Sequence, residues 1–267
     1  MDLLQGKNIV VTGSSSGIGQ ATALSMAGQG ADVLITYGSN KEGAEKVVQQ
    51  IKDMGRIAHV FQVDIRNENE IQALANYTKE VFDTTDVLVN NAGLYTYSSV
   101  LMTTAEQWDL NMNVNLRGTF LASRIFANDI FVPQKNGRIL NMASFVGSVP
   151  VSGLVAYNCA KAGIIHLTKQ LALEWGQYNI DVICVSPGYV ATEPMLAAIE
   201  RGDADGPSIL RQSPVGRLAR PEEVANLFTF LSSDMASYIS GININIDGAY
   251  TSGIRFTSLV DGEIVAS

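Results

Sequence analysis

Cysteine and histidine are scarce in this chain of 267 residues, which has two of each. Cys159 and Cys184 are too few for a disulfide framework, so both are expected to be free, buried thiols in a reducing compartment. His59 and His166 lie far apart without ligand spacing, so no metal site is expected. Apolar runs of about 18 residues are also missing, and the short polar N-terminus leads directly into a strand, so neither a membrane span nor a signal peptide is expected. A cytoplasmic protein is the resulting expectation.

Basic residues are outnumbered, with 18 Lys and Arg against 26 Asp and Glu and a net charge of −8. A nucleic-acid or anionic-membrane partner would require a basic stripe, so the charge argues against both. Hydrophobic residues make up 46% and charged residues 16% of the chain, an ordinary globular composition.

Short apolar runs alternate with helical patterns from end to end. The predicted strands are 8–11, 32–36, 58–62, 87–89, 137–141, 181–185 and 241–246. The predicted helices between them are 17–29, 41–54, 68–82, 104–127, 156–175 and 221–231. This alternation predicts α/β architecture: a single doubly wound Rossmann-type domain, with a seven-stranded parallel sheet covered by helices on both faces.

Two segments fall outside that alternation. Residues 193–214 contain Gly202, Gly206 and three prolines and are expected to form a mobile surface loop that serves as a substrate lid over the domain of residues 1–250. Residues 251–267 are a C-terminal extension, which the sequence leaves open as disordered or as an arm across a subunit interface.

A glycine-rich turn follows the first predicted strand, reading T-G-S-S-S-G-I-G over residues 12–19. Gly13 can turn the chain sharply, Gly17 lets the backbone approach a pyrophosphate, and Gly19 lets the helix pack on the strand. The helix that follows directs free N–H groups and its positive dipole end at phosphate. The turn therefore predicts a dinucleotide site.

Tyr157 and Lys161 are four residues apart in a predicted helix and so share one face. A phenol has a pKa of about 10, and a fixed positive charge beside it stabilises the phenolate. We therefore expect Lys161 to lower the pKa of Tyr157 and to make it the acid/base of a proton transfer.

These features resemble the classical short-chain dehydrogenase/reductase family. The family's motifs match the turn at 12–19, Asp64, the N-N-A-G run at 90–93, Asn115, Ser144, Tyr157 with Lys161, and Pro187-Gly188 with Thr192. The resemblance spans residues 6–250 and is nearest to sugar or polyol dehydrogenases and 3-oxoacyl reductases. It implies an NAD(P)(H)-dependent oxidoreductase that interconverts a secondary alcohol and a carbonyl.

The resemblance also implies roles for individual residues. The implied catalytic residues are Asn115, Ser144, Tyr157 and Lys161. The implied cofactor contacts are Gly13, Ser15, Ser16, Gly17, Ile18, Gly19, Tyr37, Gly38, Ser39, Asn40, Asp64, Ile65, Asn91, Ala92, Gly93, Tyr157, Lys161, Pro187, Gly188, Val190 and Thr192. The implied substrate contacts are Ser144, Val146, Leu154, Tyr157 and Tyr189.

The nucleotide preference depends on the end of the second strand. NAD enzymes place an acid about 20 residues past the glycines to bind the ribose 2′-hydroxyl. No acid occurs over residues 34–41, where Ser39, Asn40 and Lys41 could instead donate to a phosphate. Many NADP-using relatives carry an arginine for the 2′-phosphate at one of two positions. In this chain those positions are Ser16 and Gly38, so the arginine is missing as well. We therefore expect a moderate preference for NADP(H), with NAD(H) possible.

The substrate is the least specified feature. Aromatic and polar residues in the implied pocket favour a small sugar or polyol, and a 3-oxoacyl thioester is the alternative. Carrier-protein reductases commonly bear docking cations, whereas the matching stretches 126–134 and 171–175 contain none. A non-catalytic redox sensor is a remote third reading, because it would not need the tyrosine. The long helices at 104–127 and 156–175 are apolar on more than one face, and with the resemblance they imply a homotetramer.

Overall fold

The computed structural model describes residues 2–253 and two short C-terminal strands, 258–260 and 263–265. The strands are β1 Asn8–Val11, β2 Asp32–Tyr37, β3 Ala58–Gln62, β4 Val87–Asn90, β5 Gly137–Met142, β6 Ile180–Pro187, β7 Asn243–Ile246, β8 Ser258–Val260 and β9 Glu263–Val265. The helices are α1 Gly17–Gly28, α2 Lys41–Asp53, α3 Glu68–Val81, α4 Ala105–Asn111, α5 Gly118–Phe126, α6 Val132–Gln134, α7 Val155–Trp175, α8 Glu193–Arg201, α9 Gly206–Gln212 and α10 Pro221–Ser232.

Seven strands form one parallel sheet in the order β3-β2-β1-β4-β5-β6-β7. Alternate side chains of β1 enter separate hydrophobic clusters: Ile9 and Val11 pack into one, and Val10 packs into the other. The sheet is thus buried on both faces, which explains the continuous apolar strands and confirms the predicted fold class. The strand order reverses between β1 and β4, and ligands of such folds bind at the carboxyl ends of the strands beside this reversal.

The segment at 193–214 is not the loop that its glycines and prolines predict. It folds into α8 and α9, and Met195 and Ala198 of α8 are buried. Asp205 caps α9 by accepting a hydrogen bond from the Ser208 backbone N–H at 2.9 Å. A side chain at Gly206 would come within 2.8 Å of Ile199, so the glycine permits the two helices to pack closely.

The long helix predicted at 104–127 continues to Gln134 and is interrupted twice by π-helical turns, Met112–Arg117 and Ala127–Phe131. Thr104 begins it with a capping box in which its side chain and that of Gln107 bond reciprocally to backbone N–H groups.

In the C-terminal extension, β8 and β9 pair as antiparallel strands. Residues 254–257, 261–262 and 266–267 of the extension lie outside the described residues, so the choice between a disordered tail and an interface arm stays open. Cys184 is buried as expected, but Cys159 is exposed on α7. None of the helices in the described part of the chain combines the length and apolarity needed to cross a membrane.

Candidate active site

The glycine-rich turn is fastened to the neighbouring strand ends by hydrogen bonds. The Thr12 hydroxyl accepts from the backbone N–H groups of Asn91 and Ala92 at 3.0 Å each. The Asn91 amide donates to the carbonyls of Thr12 and Gly13 at 2.9 and 3.0 Å. The Gly13 N–H donates in turn to the Thr36 hydroxyl at 3.2 Å. The turn after β1 is therefore held by the ends of β2 and β4 before any ligand binds.

Two glycines of this turn are required by close approach. A Cβ at Gly13, whose φ is +62°, would lie 2.8 Å from Ala92 Cα. A Cβ at Gly19 would lie 2.4 Å from the Asn91 amide nitrogen and 2.5 Å from the Gly13 carbonyl oxygen. Only glycine fits both positions, and the N-terminus of α1 consequently opens directly onto the cleft.

A cleft of about 780 Å³ runs along the carboxyl ends of the strands. It is lined by most of the residues that the sequence predicts for the cofactor: Gly13, Ser15, Ser16, Gly17, Ile18, Gly19, Tyr37, Gly38, Ser39, Asn40, Asp64, Ile65, Asn91, Ala92, Gly93, Tyr157, Lys161 and Thr192. Pro187, Gly188 and Val190 do not line it. Pro187 and Val190 are buried in the wall behind, and Gly188 lines a smaller cavity. The elongated, preformed cleft and its glycine cradle fit a dinucleotide.

The end of the cleft around Asp64, where the family resemblance implies the adenosine, contains a residue that the sequence did not reveal. Arg66 lines the cleft and donates two hydrogen bonds to the Asp64 carboxylate. Its Nε lies 2.9 Å from Oδ1, and its Nη2 lies 2.6 Å from Oδ2. The guanidinium lowers the pKa of the Asp64 carboxyl, chiefly through its hydrogen bonds. Asp64 therefore does not present a free carboxylate to the cleft. The sequence did offer one indication of this ion pair, because Arg66 follows the motif residue Asp64 by two positions.

Three predicted catalytic side chains meet at the other end. Ser144 lies within hydrogen-bonding reach of the Tyr157 phenol. The Lys161 ammonium sits 5.3 Å from the centroid of the Tyr157 ring and donates to the Met142 carbonyl at 2.8 Å. The α7 helix carries Tyr157 and Lys161 on one face, as their spacing predicts, and β5 supplies the backbone that holds the lysine.

The predicted direction of the Tyr157 pKa is wrong for the protein alone. Burial raises the pKa of the phenol above its usual value, and the hydrogen bond with Ser144 opposes the rise only in part. Burial also lowers the pKa of Lys161 to about 8. Loss of hydration on burial is the largest cause of both shifts, because it disfavours the charged form of each group. The protein by itself therefore holds Tyr157 as a neutral acid.

Asn115 lies in the π-helical turn and is fully buried. Its side-chain nitrogen donates to the carbonyls of Leu94 and Asn111 at 2.8 and 2.9 Å, and its oxygen accepts from the Leu94 N–H at 3.3 Å. A Cβ built on Gly93 would lie 2.8 Å from that oxygen and 3.6 Å from Lys161 Nζ, so the amide stands beside the lysine. The turn therefore ties this helix to the cleft wall.

A buried polar chain supports the site from behind. Asn90 of β4 donates from its side-chain nitrogen to the Asn141 oxygen and the Ser123 hydroxyl, at 2.9 Å each. Asn141 donates to the Thr168 hydroxyl at 3.0 Å, two turns beyond Lys161 on α7. These bonds connect both central strands to the helices that carry the catalytic side chains, which restricts their relative movement.

Aromatic rings cluster beside Tyr157 and further along the same side of the protein. Tyr95 packs edge-on against Tyr157 with centroids 5.8 Å apart and contacts Tyr97 at 5.4 Å. A second group lies further along, where Tyr189 and Tyr250 are 5.6 Å apart and Phe145 is 5.0 Å from Tyr189.

The predicted substrate contacts divide between wall and interior. Tyr189 lines a smaller cavity of about 210 Å³. Val146 and Leu154 are 4% and 7% exposed, so they form the packed support of the wall rather than its open surface. Ser144 is 9% exposed, and its hydroxyl stays within reach of the Tyr157 phenol, which lines the cleft.

Comparison with known proteins agrees with this geometry. The family described as "Enoyl-(Acyl carrier protein) reductase" matches residues 13–251. A 3-oxoacyl-[acyl-carrier-protein] reductase of Synechocystis sp. is 36% identical over 93% of this chain and 98% of its own length. An NAD-dependent glycerol dehydrogenase of Listeria innocua is 37% identical over 92% of this chain and 94% of its own length. A crystal structure of a short chain dehydrogenase from Burkholderia cenocepacia in complex with NADP has a TM-score of 0.86 and 33% identity, covering 93% of this chain and 99% of that one.

Sequence similarity over nearly the whole chain thus accompanies the nucleotide cleft and the Ser, Tyr and Lys side chains at its end. The protein belongs to the short-chain dehydrogenase/reductase family and is an NAD(P)(H)-dependent oxidoreductase that acts on hydroxyl and carbonyl groups.

Proposed function

We propose that this enzyme interconverts a secondary hydroxyl and a carbonyl on a small sugar or polyol, with NADP(H) as the preferred nucleotide. The observation that carries the substrate class is the wall of tyrosines around Tyr157. Aromatic faces pack against the C–H face of a polyol, and phenol hydroxyls both donate to and accept from its hydroxyls.

Tyr157 is the proposed acid/base. During reduction its phenol donates a proton to the carbonyl oxygen while the carbon is reduced, and during oxidation the phenolate removes the hydroxyl proton. The Ser144 hydroxyl donates a hydrogen bond to the same substrate oxygen and stabilises the charge that develops there. The bound nicotinamide supplies or accepts the hydride and, when oxidised, brings a positive charge that favours the phenolate.

Lys161 and Asn115 have supporting roles in this proposal. Lys161 carries positive charge beneath the Tyr157 ring and is available to the nicotinamide ribose hydroxyls. Asn115 positions the wall at Leu94 and stands next to Lys161, where it can hold a proton-relaying water.

Two features support the NADP(H) preference. The loop Gly38, Ser39 and Asn40 lines the cleft without a carboxylate. It leads into the N-terminus of α2, whose positive dipole end favours a phosphate. The Asn40 side-chain oxygen caps this helix by accepting from the Gly43 N–H at 3.0 Å, so the Asn40 side-chain nitrogen and the Ser39 hydroxyl are donors of the loop.

The α8 and α9 helices are the proposed lid over the single domain of residues 1–250. Thr192, just before α8, approaches the phosphate turn, because a Cβ at Gly17 would lie 3.5 Å from the Thr192 methyl group. The Gln212 side chain of α9 accepts from the Tyr250 hydroxyl at 2.9 Å, which joins the lid to the aromatic wall. Movement of these helices would open the cleft to substrate.

A homotetramer is proposed from unpartnered apolar side chains on the long helices. Phe120 of α5 is 40% exposed, and Leu173 near the end of α7 is 81% exposed. Large apolar side chains on neighbouring helices are typical of subunit interfaces. The cytoplasmic location stays a prediction from composition.

The 3-oxoacyl thioester reductase is the second candidate, because the relatives include carrier-protein reductases at similar identity to the glycerol dehydrogenase. Two arginines on the substrate side are already paired, Arg201 with Asp203 at 2.9 Å and Arg217 with Glu223 at 2.7 Å. Cations neutralised in this way attract an acidic carrier protein less, and a net charge of −8 adds repulsion.

The test is a comparison of kcat/KM for sugars, polyols, a 3-oxoacyl group on carrier protein and a short free analogue of that group, with each nucleotide. We expect the highest values for polyhydroxylated substrates and NADP(H), with little dependence on salt. A dominant kcat/KM for the carrier-bound substrate, lost at high salt, would establish the second candidate instead.

A further inference from the structure

We propose that Arg66 determines how well the cleft accepts a nucleotide bearing a 2′-phosphate, because it masks the negative charge of Asp64. The inference rests on the nucleotide cleft of the proposed function and assigns its selectivity to one ion pair. The resulting class of ligand is a 2′-phosphorylated adenosine nucleotide.

Register places this pair beside the loop that would receive the 2′-substituent. Tyr37 of β2 lies opposite Gln62 of β3, and the Val63 N–H donates to the Tyr37 carbonyl at 2.9 Å. The Gln62 side chain then donates to the Gly38 carbonyl at 2.9 Å. Because parallel strands end together, the segments 38–40 and 64–66 leave the sheet side by side, and both line the cleft.

The charges along the cleft are few. Among the described residues that line it, Asp64 is the one carboxylate, and Arg66 and Lys161 are the cations. Lys161 lies at the catalytic end, so Arg66 is the cation at the adenosine end. Glu70 stands nearby, outside the lining residues, and accepts from the Asp64 N–H at 2.7 Å.

The ion pair has a geometry suited to masking. Arg66 contacts both carboxylate oxygens, with Nε to Oδ1 at 2.9 Å and Nη2 to Oδ2 at 2.6 Å. Its backbone N–H also donates to Oδ1 at 2.9 Å. Arg117 fixes the same loop by donating to the Arg66 carbonyl at 2.7 Å. The guanidinium and the backbone N–H thus donate to both oxygens of the carboxylate. The positive charge of Arg66 largely cancels the electrostatic potential of Asp64 in the cleft.

Removal of the guanidinium would leave an anion beside the place of the 2′-phosphate. Hydrogen bonds with Arg66 lower the pKa of Asp64 in the intact pair, and the free carboxyl is still ionised at neutral pH. Repulsion would then act on a 2′-phosphate and not on a 2′-hydroxyl. The expected signature is a change in the ratio of affinities for the two nucleotides, not in overall affinity.

The experiment measures dissociation constants for adenosine 2′,5′-bisphosphate and 5′-AMP by calorimetry, and for NADPH and NADH by fluorescence. The variants are Arg66→Ala, Asp64→Asn and the double substitution. Arg124→Ala is the matched control, because Arg124 pairs with Glu68 at similar side-chain exposures, 47% and 49% against 51% and 38% for the Arg66 pair, yet does not line the cleft. Adenosine 2′,5′-bisphosphate and 5′-AMP contain no nicotinamide, so their dissociation constants do not depend on turnover.

We expect Arg66→Ala to reduce the preference for the 2′-phosphorylated ligand by about three- to tenfold at low salt, and by less at high salt. The double substitution should restore most of the original ratio, since it removes the unmasked charge. An unchanged ratio in Arg66→Ala, an equal change in Arg124→Ala, or a double variant no different from Arg66→Ala would overturn the proposal. A wild-type protein that favours NADH would contradict the proposed cofactor preference, while the change caused by Arg66→Ala would still decide this inference.

Discussion

Replacement of Asn115 by alanine should weaken both the fold and the reaction. The substitution removes two donations from the side-chain nitrogen, at 2.8 and 2.9 Å, and one weaker acceptance at 3.3 Å. The Leu94 backbone groups lose their partners at a site where Asn115 is 0% exposed, so water does not readily replace them.

The magnitude follows from those contacts. Buried hydrogen bonds contribute about 0.5–1.5 kcal/mol each, and the higher helix propensity of alanine returns about 0.5 kcal/mol. The free energy of unfolding should therefore fall by roughly 1–3 kcal/mol, which lowers Tm by roughly 3–10 °C for a chain of this size. Displacement of Leu94 and the adjacent wall should lower kcat by about 10- to 100-fold.

The assay combines thermal unfolding with steady-state kinetics and nucleotide binding. Asn113→Ala is the matched control, because Asn113 occupies the same π-helical turn with a partly exposed side chain. We expect Asn113→Ala to behave like the wild type in all three measurements. If Asn115→Ala keeps the wild-type Tm and kcat, the role derived for this amide is refuted.

Three further predictions follow from the same cleft. Tyr157→Phe should retain the fold and nucleotide binding but lose about 10²–10⁴-fold in kcat, as measured by nicotinamide absorbance, and near-normal turnover would contradict its role as acid/base. Because burial raises the pKa of Tyr157, reduction should be active at neutral pH and decline at high pH, whereas oxidation should increase with pH; a pH–rate profile in each direction checks the signs. Gly38→Asp should shift the ratio of kcat/KM toward NAD(H), because a carboxylate there repels a 2′-phosphate, and an unchanged ratio would count against this position.

The order of strands and helices was predictable because each depends on a short-range pattern. Continuous apolar runs indicate doubly buried strands, and the reading of seven parallel strands is confirmed. The segment at 193–214 was misread because its glycines and prolines are typical of loops. Burial of Met195 and Ala198, which stabilises α8, depends on surfaces supplied by distant parts of the chain.

For Tyr157, too, one feature was predictable from the sequence and another depended on tertiary packing. Spacing along α7 correctly placed Lys161 near the phenol, since four residues return to the same helix face. For the protein without nucleotide, the predicted direction of the Tyr157 pKa was wrong because desolvation depends on what packs around the pair, including Tyr95 from another segment.

The sequence by itself determined the features that rest on local backbone geometry. These are the glycine turn that opens onto α1 and the Tyr157 and Lys161 pair, where residue spacing along one element sets the arrangement. Tertiary structure alone decided the π-helical turn at Asn115 and the masking of Asp64 by Arg66. The tyrosine wall, assembled from separate segments, was decided in the same way. The physical reason is that side-chain pairing, desolvation and close packing depend on groups brought together from distant parts of the chain, which no local pattern records.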